Sequence, residues 1–116
     1  MQCCRTDNLA RYNRQTPEKR EAHRLSARKS ALKKSYGITW DQYIGMFEAQ
    51  NGECAICTHP VHPMHENRYL VGCVDHCHTT GKVRGILCFD CNVGLGKFFD
   101  KTASLRAAIA YLETNQ

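Results

Sequence analysis

The chain has 116 residues, a net charge of +5, eight cysteines and 42% hydrophobic residues. One domain of this size buries only about 65% of its unfolded surface, so its core is marginal and an added staple is expected. No run of about 18 apolar residues occurs and MQCCRTDNLARYNRQ lacks a signal-like apolar stretch, so neither a membrane span nor secretion is expected.

The basic residues crowd toward the start. Residues 1–36 carry ten Lys/Arg against three acidic residues, whereas residues 37–116 carry six against eight. We therefore read an N-terminal basic arm, 1–36, and a second region, 37–116, that holds the paired cysteines. Arg20, Arg24, Arg28, Lys29, Lys33 and Lys34 could be a solvated helix face. Beside a metal-rich module they read better as cations for a polyanion, with nucleic acid the natural partner. Thr16 before Pro17 marks a helix start, the arm is largely helical from about residue 16, and Gly37 stops it. Its apolar face is thin (Ala22, Leu25, Leu32, Tyr36), so it needs a partner surface.

A second helix begins at Thr39, where Gln42 completes a capping box, and it ends at "QNG" with Gly52 as the glycine stop. Trp40, Tyr43, Ile44 and Phe47 form its core stripe. Residues 58–69 form a proline-punctuated loop in which His59, His62 and His65 read as surface residues. Residues 70–76 and 83–88 read as strands joined by a polar turn, with Lys82 and Arg84 as further phosphate-facing cations. A short helix should start near Phe89 and run past Asn92, limited by Gly94 and Gly96. Leu105, Ala108, Ile109 and Leu112 give a final amphipathic helix capped by Asp100 or Thr102.

Cys54-x2-Cys57 and Cys88-x2-Cys91 are matched pairs, each able to turn two thiolates onto one ion. Together they make a closed, structural zinc site; two disulfides or an iron–sulfur cluster are the alternatives. In a reducing, intracellular setting metal binding is the usual use of such pairs. Cys3, Cys4, Cys73 and Cys77 are left without an assigned role.

Zinc does not account for Asp75, His76, His78 or Asn92. Phosphodiester hydrolysis needs a base for water and a cation for the phosphate. Histidine suits the first task. Asp75 and the Asn92 amide are hard oxygen donors suited to magnesium, and Asn92 directly follows Cys91. A regular strand would put His76 and His78 on one face and Asp75 on the other. The strand must therefore twist or end near Asp75 for all three to serve one cleft.

These residues carry a resemblance. "LKKSYGITWDQY", "NGECAIC", "VDHCHTTGKVRGILCFDCNVGLG" and "AIAYLE" together resemble the recombination endonuclease VII family of bacteriophages, within the HNH or ββα-metal nucleases, over roughly residues 32–113. The resemblance implies an α+β fold, a small zinc-stabilised ββα-metal (HNH) domain with flanking helices. It implies structural zinc on Cys54, Cys57, Cys88 and Cys91, and catalytic magnesium, with manganese able to substitute, on Asp75 and Asn92. His76 would be the general base and His78 its assistant. The implied activity is a DNA endonuclease leaving 5′-phosphate and 3′-hydroxyl ends, on duplex or branched DNA, with a homodimer needed to resolve junctions. No membrane partner is expected, and a phage-encoded protein would act in the host cytoplasm. Cys77 stands where relatives often read Asp, and the chain stops soon after the last helix, which weakens the case for four-way junctions. The alternative is a non-catalytic zinc-binding module for nucleic acid.

Overall fold

The structure, a computed structural model, describes residues 16–116; Cys3, Cys4 and the first part of the basic arm lie outside the described residues. Helix α1 (Pro17–Tyr36) starts as its sequence dictates. The Thr16 hydroxyl accepts the Lys19 N–H at 3.3 Å, and Pro17 sits where the missing N–H removes no helical bond. Gly37 ends the helix at φ 70°, donating to the Lys33 carbonyl at 3.0 Å. This left-handed value carries no Cβ penalty in glycine.

Helix α2 (Trp40–Ala49) opens with the reciprocal capping box: Thr39 N–H donates to Gln42 Oε1 at 2.9 Å and Gln42 N–H to Thr39 Oγ1 at 3.1 Å. Tyr43 of the expected core stripe is fully buried, as is Leu32 of α1. Trp40 stacks on Tyr43 at 5.7 Å, and the Arg28 guanidinium lies 4.9 Å from the Tyr43 ring centre. The helix closes one residue earlier than expected. Asn51 takes the left-handed position (φ 57°), and Gly52 follows at φ 67° with its N–H on the Phe47 carbonyl at 2.9 Å. The chain divides into two compact units, one ending at Tyr43 and one spanning Ile44–Gln116, so the division falls inside α2.

The second unit holds an antiparallel hairpin, β1 (Cys73–His76) and β2 (Val83–Leu87), then α3 (Phe89–Lys97) and α4 (Thr102–Thr114). Strand β1 begins later than residue 70, because Arg68–Leu70 makes a 3-10 turn capped by the Asn67 side chain, which accepts Tyr69 N–H at 3.0 Å. Helix α3 follows β2 directly and lies against β1, completing a ββα arrangement. Val61, Val74, Ile86, Leu87 and Cys54 form this unit's buried core. With helices, one two-stranded sheet and four clustered cysteines, the α+β expectation is met.

One contact ties Gln50, the residue after α2, to the hairpin across 36 residues. The Gln50 amide accepts Ile86 N–H at 2.9 Å and donates to the carbonyls of Ile86 and Glu53, each at 2.9 Å. Gln50 thus treats Ile86 as a neighbouring strand would. Gly85 leaves room beside it: a Cβ there would stand 3.1 Å from Gln50 Oε1, a tight contact that would press on the bonded amide. Ile86 is fully buried, so Gln50→Ala leaves its N–H without this acceptor. The expected loss is about 2 kcal/mol in urea unfolding of the metal-loaded protein; a loss under about 0.5 kcal/mol would show the stitch to be dispensable.

Candidate functional site

Two knuckles bring four sulfurs together. In the first, Cys54 N–H donates to the His59 carbonyl (2.9 Å) and Thr58 N–H to the Cys54 carbonyl (3.1 Å), curling the chain so that Ile56 N–H reaches Cys54 Sγ at 3.4 Å. The second is a helix start: Cys88 caps α3, and its Sγ accepts Cys91 N–H, again at 3.4 Å. The ligating atoms of Cys54, Cys57, Cys88 and Cys91 all lie within 4.8 Å of one another, with Cys57 and Cys88 at 3.6 Å. A zinc tetrahedron with Zn–S near 2.3 Å has edges of about 3.8 Å, so spacing and donor chemistry fit zinc.

The thiols are strongly differentiated. Burial pushes the Cys54 thiol up, but main-chain hydrogen bonds from Cys88, Cys57 and Ile56 outweigh it and bring it down to about 6. Burial pushes Cys88 and Cys91 up. A bound ion takes the place of the protons these thiols would otherwise keep. His59, read from sequence as a surface residue, puts Nδ1 3.6 Å from Cys57 Sγ. In the tautomer protonated there, it would support that sulfur from outside the ligand set.

At the other end of the hairpin the strand pairing slips. Asp75 pairs with Gly85 but His76 pairs with Val83, which leaves Arg84 as an extra residue on β2. Such a bulge sharpens the local twist, and β1 ends at His76. The bulged Arg84 turns back as a fork: Nε to Asp75 Oδ2 at 2.7 Å and Nη2 to Asp75 Oδ1 at 2.8 Å. Nη2 also reaches the His76 carbonyl and Asp100 Oδ2, each at 3.3 Å. The hydrogen bond to Asp75 raises the Arg84 guanidinium well above the usual arginine range. The rings of His76 and His78 lie 4.8 Å apart.

Asp100 owes its place to the end of α3, where it and Phe99 both hold left-handed φ values, 56° and 54°. It caps no helix; Lys101 stands at the α4 N-cap and makes no side-chain cap bond. An open cleft of about 430 Å³ lies here, lined by Cys77, His78, Thr79, Arg84, Phe99 and Asp100, among others. The Cys77 thiol is lowered to about 7, first by the hydrogen bond from the Thr80 hydroxyl and then by the main chain of Thr80 and Thr79.

Asn92 is half-buried on α3, its N–H bonded to the Cys88 carbonyl at 3.0 Å. Among the described residues, the four thiols make the one cluster of three or more His, Cys, Asp or Glu ligand atoms. Asp75 belongs to no second such cluster among the described residues. Each Asp75 oxygen accepts one bond from Arg84 and retains a second lone pair, so the fork leaves room for coordination. On α1, Arg20, Arg24 and Arg28 are half-buried and share one face, while Lys29, Lys33 and Lys34 are exposed. Lys29 and Lys33 line a smaller cleft of about 270 Å³ with Thr39, Trp40 and Asp41. Lys82 is exposed in the hairpin turn.

Sequence reasoning did not find the Gln50–Ile86 contact, the Arg84–Asp100 contact or the pairing of Arg84 with Asp75. A bulge is signalled only by the count of residues between paired positions, which the sequence does not display.

Comparison with known proteins places these features in a family. The family model described as recombination endonuclease VII matches residues 29–114. The Gene 59 protein of Mycobacterium phage L5 is 36% identical over 96 residues, covering 82% of this chain and 56% of that protein. The Gene 59 protein of Mycobacterium phage D29 is 42% identical over 79 residues, covering 67% of this chain and 45% of that protein. The chain thus spans about half the length of these curated relatives.

Metal removal tests the four-thiol site. Structural zinc contributes about 10–16 kcal/mol in small zinc-finger peptides, more than the net stability expected of a core this thin. One zinc per chain is expected by atomic absorption, and Cys91→Ser or a strong chelator should abolish the cooperative unfolding transition in circular dichroism. A chelated protein that melts as the untreated one does would remove zinc from the fold.

Proposed function

The chain belongs to the recombination endonuclease VII family, and from that premise we propose that it is a magnesium-dependent, HNH-type DNA endonuclease. It would hydrolyse phosphodiester bonds to 5′-phosphate and 3′-hydroxyl ends. The observation that carries the reading is the end of β1, where Asp75 and His76 lead into His78, which lines a cleft that the end of α3 also reaches through Gly96.

His76 is the proposed general base, taking a proton from the attacking water, and His78, 4.8 Å away ring to ring, would assist at the phosphate or leaving group. Asp75 and the Asn92 amide oxygen would hold magnesium, with manganese an acceptable substitute. Bound there, the ion supplies positive charge to the phosphate and the leaving 3′ oxygen. Arg84 keeps the Asp75 carboxylate in one orientation. The zinc on Cys54, Cys57, Cys88 and Cys91 is structural, since four thiolates leave no open position.

The basic arm supplies affinity through phosphate contacts carrying little sequence information, with Lys29, Lys33 and Lys34 exposed on it, and Lys82 adds an exposed cation in the hairpin turn. Branched DNA is the substrate class that the family name suggests, and a nick in plain duplex is the simpler one. Cutting paired strands needs two sites, so junction resolution would require a homodimer.

One observation favours a second reading. The Arg84 fork uses both Asp75 oxygens, as it would in a zinc module that binds nucleic acid without cutting it. Supercoiled plasmid separates the two. With magnesium the protein should nick it, removal of magnesium should stop nicking, and His76→Ala should slow it by roughly 10²–10⁴-fold. No nicking between pH 6 and 9 would leave the binding module as the function.

A further inference from the structure

The turn that ends α3 holds a conformation its residues resist. Phe99 N–H donates to the Gly96 carbonyl and Asp100 N–H to the Leu95 carbonyl, both at 3.0 Å. These are the paired bonds of a Schellman turn, whose left-handed residue is usually glycine. Here it is Phe99, at φ 54°. A bulky residue with positive φ is a genuine outlier, and glycine would relieve it.

Burial does not repay that strain. Phe99 is 79% exposed, more than any other large apolar side chain among the described residues. Folding therefore gains nothing from a phenyl ring at this position and loses some stability to it. What the ring does have is location. It lines the same cleft as His78, Thr79 and Arg84, and the next residue, Asp100, accepts from Arg84 at 3.3 Å.

A flat apolar face beside an imidazole matches a nucleotide, which joins a flat apolar base to a phosphate that a ring N–H can meet; the Arg84 guanidinium in the same cleft is already taken by Asp75 and Asp100. We propose that Phe99 is a base-stacking platform, receiving an unstacked nucleobase of the strand whose phosphate enters the cleft beside His78. The proposal rests on the endonuclease reading for its ligand, DNA. Aromatic stacking of this kind tolerates any base, so Phe99 would favour strands with unpaired or opened bases over sealed duplex without reading sequence.

The experiment compares the wild type with Phe99→Gly and Phe99→Trp. Binding to a labelled single strand is followed by anisotropy without magnesium, so that nothing is cut, at one fixed salt concentration. A second strand of equal length carries abasic sites throughout. Phe99→Gly should melt about 4 °C higher than the wild type, because the strained position is relieved. It should bind the normal strand roughly 10-fold more weakly, while Phe99→Trp binds it as the wild type does. On the abasic strand the wild type and Phe99→Gly should bind alike.

Three results would each overturn the platform: unchanged binding of the normal strand by Phe99→Gly, an equal loss on the abasic strand, or a lower subunit count in sedimentation. The last would assign the ring to a second copy of the chain. Plasmid nicking by the wild type, measured alongside, keeps the two readings apart. A wild type that nicks while Phe99→Gly loses no affinity removes the platform alone. A wild type that never nicks, with the base-dependent loss intact, removes the nuclease reading and leaves the platform standing.

Discussion

Four sulfurs held within 4.8 Å are the constraint on which the second unit depends. Its buried apolar side chains are few: Val61, Val74, Ile86 and Leu87, with Cys54 itself among the buried residues. So small a set cannot offset the conformational entropy of ordering more than seventy residues. Unaided thiols add little to it, since burial opposes ionisation of Cys88 and Cys91. The four cysteines are positioned for a divalent ion, which, bound there, would fix the chain at Cys54–Cys57 and Cys88–Cys91 together.

The second knuckle is where this constraint reaches the candidate site. Leu87 ends β2, Cys88 caps α3, and Cys91 lies in its first turn, so the strand-to-helix junction is a metal knuckle. A nine-residue helix is about 13 Å long, and α3 uses that length as a strut. Its start presents Asn92 next to Cys91; its end, through the turn at Phe99, presents Asp100 to Arg84. Gln50 adds a second brace by holding both polar groups of Ile86, which leaves the bulge at Arg84 as the hairpin's irregular point. Rigid pairing on one side of that bulge makes the other side's geometry reproducible.

Local chemistry was legible, and long-range geometry was not. Thr16, the Thr39–Gln42 box, the cysteine pairs and the hairpin all announce themselves within a few residues, because caps, knuckles and turns are satisfied by near neighbours in sequence. The late start of β1 shows the limit, since a 3-10 turn capped by Asn67 took residues that a strand could have used. Gln50 and Ile86 are 36 residues apart, and no spacing rule links a glutamine at a helix end to one strand residue. Arg84 read as a phosphate-facing cation, whereas at the slipped register it turns onto Asp75. Asp100 read as a helix cap because aspartate before a helix usually is one. A guanidinium nearby outcompeted the helix N-terminus for its carboxylate.

That competition bears on how a divalent ion could share Asp75 with an arginine. A guanidinium forked onto one carboxylate forms a neutral pair, and a second cation arriving there meets its positive charge. Asp100 changes the balance. With two carboxylates around one guanidinium the cluster carries a net charge of −1, and the second carboxylate lies on Arg84 rather than on the oxygens an ion would need. Partial exposure, 39% for the Arg84 side chain, screens the remaining repulsion. If Asp75 takes a divalent ion as proposed, Arg84 can therefore stay in place and hold the carboxylate still instead of being expelled. The left-handed turn at the end of α3 then has a purpose that glycine at position 100 would not serve, because a glycine carries no carboxylate to set against Arg84.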